Sequence, residues 1–90
     1  MLRDAMGPSV RLRLFATARE SVGRSALEVS LPPEGTTVAD VLSRLQADHP
    51  QLRPIVKVSR VVLNGIYISD TSARVKSGDE LAIHPPYSGG

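Results

Sequence analysis

Residues Thr36–Pro50 read TTVADVLSRLQADHP, and the fold turns on this stretch. Val38, Val41, Leu42 and Leu45 fall at i, i+3, i+4 and i+7, the spacing that lines one face of an α-helix. Thr37 is placed to cap the start, with Asp40 three residues on in the manner of a capping box. Pro50 stops the helix because it has no N–H to give to the ladder. His49, just before it, suits the negative end of the helix dipole.

On both sides of this helix the apolar period drops to two. In VRLRLF, Val10–Phe15, the residues Val10, Leu12 and Leu14 share one face while Arg11 and Arg13 share the other, the pattern of a half-buried strand. ATARESVGRS follows as a helical turn or loop. ALEVSL alternates again, with Leu27, Val29 and Leu31 on one face, and Pro32 and Pro33 end that strand.

Beyond the helix, VVLNGIYI is a hairpin signal. Asn64-Gly65 suits a type I′ turn, whose two central residues both need positive φ. A two-residue loop pairs Leu63 with Ile66 and Val61 with Ile68 on the inner face, leaving Val62 and Tyr67 outside. RVKSGDELAIH gives a turn at Ser77-Gly78-Asp79 and a last strand with Leu81 and Ile83 inward, Ala82 and His84 outward. The expected core is Leu12, Leu14, Val29, Val41, Leu42, Leu45, Leu63, Ile66, Leu81 and Ile83.

Two strands, one helix and three strands form an α+β layer arrangement, a mixed sheet packed on one main helix. In so short a chain that order predicts a β-grasp, with first and last strands parallel at the sheet centre. The expected organisation is a disordered leader at 1–9, with Met6 an alternative start to Met1, a domain at 10–84 and an extended tail at 85–90.

Composition narrows the function. Ninety residues make one domain, 41% hydrophobic but only 3% aromatic, so the core is aliphatic. With no cysteine there is no disulfide, thiolate metal site or thiol nucleophile. The net charge is +2, and the basic residues are scattered with hardly an aromatic between them, which argues against a nucleic-acid partner. No apolar run approaches the ~20 residues needed to span a bilayer. A cytoplasmic protein without membrane attachment is expected. His49 and His84 lack metal-ligand spacing, so no metal is expected. Asp79 and Glu80 read as solvated turn residues rather than an acid/base pair.

What remains is the end of the chain, HPPYSGG. Pro85 and Pro86 have no N–H and stop the last strand. Six residues from Pro85 to Gly90 reach about 20 Å when extended. Glycines at the end let it thread a channel too narrow for side chains, and leave the terminal acyl carbon unhindered.

LFATARESVGRS, the LNG hairpin and SGDELAIHPPYSGG together resemble the small subunits of molybdopterin synthase, the MoaD branch of the ubiquitin-like sulfur carriers. The resemblance runs from about Val10 to Gly90. It implies a carrier whose reactive group is the Gly90 carboxylate. An adenylating activating enzyme consumes ATP to make the acyl adenylate, a sulfur donor displaces AMP, and a thiocarboxylate results. The tail of Pro86, Tyr87, Ser88, Gly89 and Gly90 then enters the large subunit, where sulfur passes to cyclic pyranopterin monophosphate in molybdenum cofactor biosynthesis. Two charged carriers are consumed per dithiolene, in a heterotetramer built on a dimer of large subunits. Catalytic residues are expected on the large subunit, and the carrier itself binds no cofactor. Two positions depart from the family: Tyr87 stands where a small apolar residue is common, and His84 where an aromatic or apolar one is.

Alternatives are a carrier for thiamine or cysteine synthesis and a ubiquitin-like protein modifier. The Pro85-Pro86 pair speaks against the thiamine carriers, which tend to be shorter and lack it. Strand parity puts Phe15, Val62, Tyr67, Ala82 and His84 on the outer face. Aromatic anchors are enriched in binding hot spots, so Phe15, Val62, Tyr67 and His84 are the expected partner interface.

Overall fold

The alternation of Val10, Leu12 and Leu14 forms β1 (Ser9–Leu14), whose inward residues are all at most 1% exposed. In the computed structural model, which describes residues 7–86, the elements after it are α1 (Ala16–Val22), β2 (Ala26–Ser30), β3 (Thr36–Thr37) and α2 (Val38–Asp48). A 3-10 turn (Pro50–Leu52) leads into α3 (Arg53–Val58), then β4 (Arg60–Leu63), β5 (Ile66–Ile68), β6 (Arg74–Val75) and β7 (Glu80–His84).

Five strands form one sheet in the order β2-β1-β7-β4-β5, while β3 and β6 pair separately. β1 and β7 run parallel at the centre, with Leu12 opposite Leu81 and Leu14 opposite Ile83. The other neighbours are antiparallel. This is the expected β-grasp arrangement: the parallel pair is joined through the helical layer, and α2 lays Val38, Val41, Leu42 and Leu45 on the sheet. Among the described residues no helix is long and apolar enough to cross a membrane.

The helix start follows its sequence signals in part. The Thr37 hydroxyl accepts the Asp40 N–H at 3.2 Å. The Asp40 carboxylate, however, takes its hydrogen bond from the Thr36 hydroxyl. Asn64 (φ 50°) and Gly65 (φ 85°) both adopt positive φ, as a type I′ turn requires. Gly35 is needed for another reason. A Cβ there would lie 2.7 Å from the Val75 carbonyl oxygen, so only glycine lets the loop before α2 pass β6.

Three expectations need correction. Ile66, placed in the core by parity, is 67% exposed. It does face inward opposite Leu63, but β5 is a three-residue edge strand at the rim of the helical layer, so the right face carries no cover there. Ala82, on the outer face, is only 7% exposed, because Arg13 and Val62 flank it on the neighbouring strands. The strand also begins one residue inside the expected leader: Ser9 pairs with Ser30, and the Pro8 carbonyl accepts the Leu31 N–H at 3.0 Å. Residues 1–6 of that leader lie outside the described residues.

Pro50 does end α2, yet helix resumes within a few residues. Pro54 sits in the first turn of α3, where its missing N–H is no loss. This segment contributes Leu52, fully buried, to the core.

Candidate functional site

β7 ends at His84, and the next two residues, Pro85 and Pro86, leave the sheet half-buried and exposed in turn. The sequence expectations for Tyr87, Ser88, Gly89 and Gly90 lie outside the described residues. What is described is the root of the tail and the surface around it.

Four strands contribute to that surface. Phe15 follows β1 in extended conformation (φ −129°, ψ 155°), which carries its ring to the outer face beside His84. The two rings stack with centroids 4.5 Å apart. Tyr67, from β5, meets the other side of His84 edge-on, with centroids 6.3 Å apart. Val62 lies between them on β4, opposite Ala82 and Tyr67. The four residues expected at an interface are therefore gathered into one patch at the base of the tail. Tyr67 is 61% exposed, a large apolar surface held open to solvent.

The patch has a charged frame that sequence reasoning did not single out. The Arg13 guanidinium lies 5.3 Å from the Phe15 ring centroid, and that of Arg60 lies 5.5 Å from the Tyr67 centroid. A guanidinium over an aromatic face is attracted by the ring quadrupole and held in place by it. The signal was available as parity: Arg13 stands two before Phe15 and Arg60 two before Val62, so each pair shares the outer face. Arg13 thus stands against Phe15, and Arg60, opposite His84 on β4, stands against Tyr67.

His84 thus occupies a place suited to an aromatic residue and behaves as one. Its planar ring fills the gap between Phe15 and Tyr67, which an aliphatic side chain would not stack across.

Asp79 and Glu80 are engaged in local contacts around the turn before β7. Asp79 accepts the Lys76 N–H at 2.8 Å and the Asn64 side-chain amide at 3.1 Å. The Lys76 N–H above all, and then the Asn64 amide and the Lys76 ammonium, hold its carboxyl below the usual carboxylate range. Asn64 returns a contact to the Glu80 N–H at 2.9 Å, so the β4–β5 turn and the turn before β7 are clasped together. Glu80 pairs with Arg13 at 3.8 Å in an exposed contact. Among the described residues no group of three or more His, Asp or Glu is arranged to hold a metal ion.

Residues 12–90 match the model of the ThiS family. The molybdopterin synthase sulfur carrier subunit of Dictyostelium discoideum is 34% identical over 94% of this chain and 100% of its own length. That of Drosophila yakuba is 40% identical, over 97% of this chain and 99% of its own. Among solved structures, SAMP1 of Haloferax volcanii, a small archaeal modifier protein, superposes with a TM-score of 0.80 at 32% identity, covering 91% of this chain and 99% of that one.

Proposed function

We propose, since the chain belongs to the ThiS family, that it is the sulfur-carrier subunit of a molybdopterin synthase, with sulfur borne on the Gly90 carboxylate. The observation that carries this reading is the likeness of nearly the whole chain to sulfur carrier subunits of that enzyme, at 34% and 40% identity. As a subunit it works with a second protein, the large subunit, within a heterotetramer, and before that with an adenylating enzyme.

The chemistry runs at one carboxyl group. On the activating enzyme a Gly90 carboxylate oxygen attacks the α-phosphorus of ATP and pyrophosphate leaves. The acyl adenylate is a good electrophile, and sulfide (HS⁻) delivered by a sulfur donor attacks its acyl carbon and displaces AMP, leaving the thiocarboxylate. In the large subunit that sulfur passes to cyclic pyranopterin monophosphate, and water restores the carboxylate. The folded part of this chain contributes presentation: the Phe15, Val62, Tyr67 and His84 patch adjoins the root of the tail, where the tail's recipient must sit. Such a reaction sequence belongs in the cytoplasm and needs no cofactor resident on the carrier.

Intact mass after incubation with ATP, the activating enzyme and a sulfur donor tests the reading. The expected gain is the difference between one sulfur and one oxygen atom, absent when Gly90 is deleted. A Gly90 deletion that still supports dithiolene formation overturns it.

The likeness to a small archaeal modifier protein favours a second reading, attachment of Gly90 to protein lysines. Adducts that survive denaturation and reducing agent distinguish this outcome from a thiocarboxylate.

A further inference from the structure

We infer that the protein receiving the tail places a carboxylate against Arg60, so that this arginine selects an acidic-rimmed partner. The inference rests on the carrier reading above and names the recognition chemistry of its docking face.

Three observations converge on Arg60. Its guanidinium is positioned over Tyr67, yet among the described residues it forms no ion pair, whereas Arg11 pairs with Glu28 at 3.7 Å and Arg13 with Glu80 at 3.8 Å. A planar fork held on a ring, with its N–H donors unspent, is prepared for two-point contact with a carboxylate.

The second observation is the groove beside it. Arg60 and Tyr67 line a shallow groove with Ser59, Val61, Ile68, Ser69 and Thr71, and no acidic side chain lines it. The nearest candidate in sequence, Asp70, is engaged elsewhere: its carboxylate accepts the Ser72 N–H at 2.9 Å and the Ser72 hydroxyl at 2.6 Å.

The third is position. Arg60 pairs directly with His84 across β4 and β7, one residue before the Pro85-Pro86 exit. A protein that takes the tail and covers Tyr67 therefore also covers this cation. Burying it opposite another cation or an apolar wall leaves a desolvated charge unpaired, which is costly, while a carboxylate satisfies it.

Titration calorimetry with the molybdopterin synthase large subunit at two salt concentrations tests this. Arg60→Met, which keeps the apolar stem, is expected to weaken binding about tenfold at low salt and to flatten the salt dependence. Arg60→Lys should restore the salt dependence but only part of the affinity, since a point charge lacks the fork. Arg44→Gln removes one charge at the opposite edge, where Arg44 reaches the Ser30 carbonyl, and should bind like the parent. Parent-like binding by Arg60→Met, or equal losses in Arg60→Met and Arg44→Gln, overturns the inference alone. Failure of the unaltered chain to bind the large subunit overturns the carrier reading and the inference with it.

Discussion

His84 lies nearly flat on Phe15, with ring centroids 4.5 Å apart and planes 25° from parallel. The contact exists because β1 and β7 are parallel neighbours in register, Leu14 opposite Ile83, so the next residue of each strand reaches the same outer spot. One residue later β7 gives way to Pro85. The stack therefore ties the end of β7, just before Pro85, to the first strand and builds the surface on which the proposed interface rests.

Replacing Phe15 or Tyr67 by alanine is expected to weaken binding to the large subunit by about 1–3 kcal/mol, the range of an aromatic anchor. Both rings are on the outer face, so the loss of thermal stability should be the smaller effect. Calorimetric titration beside thermal melts checks this; unchanged affinity in both variants places the interface elsewhere.

The core correction has a measurable consequence. Leu45 is 1% exposed and Ile66 67% exposed, although both were expected inside. Leu45→Ala should cost about 2–5 kcal/mol through lost burial and a cavity. Ile66→Ala should cost no more than about 0.5 kcal/mol, as for other surface changes. Denaturant melts giving equal losses would contradict the exposure of Ile66.

Gly35→Ala should destabilise by more than about 1 kcal/mol, the cost of a left-handed backbone alone for a residue with a Cβ. Gly35 has φ 82°, and the added carbon meets backbone, the Val75 carbonyl oxygen at 2.7 Å, rather than a side chain that can swing away. A denaturant melt of Gly35→Ala matching the parent would rule out this close approach.

Asp79 links stability to acid. Its folded-state carboxyl is held below the ordinary value, first by the Lys76 N–H and then by the Asn64 amide and the Lys76 ammonium. The ionised form is thus favoured by folding. Its stabilisation is fully present above the unfolded value of about 4 and is lost as pH falls through the lower folded value. The stability difference between the parent and Asp79→Asn should therefore be largest near neutrality and narrow below about pH 4. A difference independent of pH would show that this carboxylate is not titrating against its contacts.

Much of this was legible in the chain. Helix α2 could be read from four apolar residues and a threonine cap, because a 3.6-residue period and a local hydrogen bond involve only near neighbours. The hairpin at Asn64-Gly65 was legible for the same reason, as a backbone demand that few residue pairs meet. The order of these elements led to the parallel pairing of the terminal strands. Gly89 and Gly90, with the prolines before them, drew attention to the tail, and the resemblance to sulfur carriers made its end the expected reactive group.

Tertiary structure decided the rest, because burial and proximity depend on what lies across from a residue. Parity gave Ile66 its face but not the reach of the helical layer, which ends before β5. Leu52 followed a helix-stopping proline with no period to betray it, and became core only when the chain folded back beneath the sheet. Arg13 and Arg60 are 47 positions apart and looked like ordinary solvated charges. The order of β1, β7, β4 and β5 brought Arg13 beside Phe15 and set Arg60 between His84 and Tyr67 on one face, and no local signal encodes a face made by four strands.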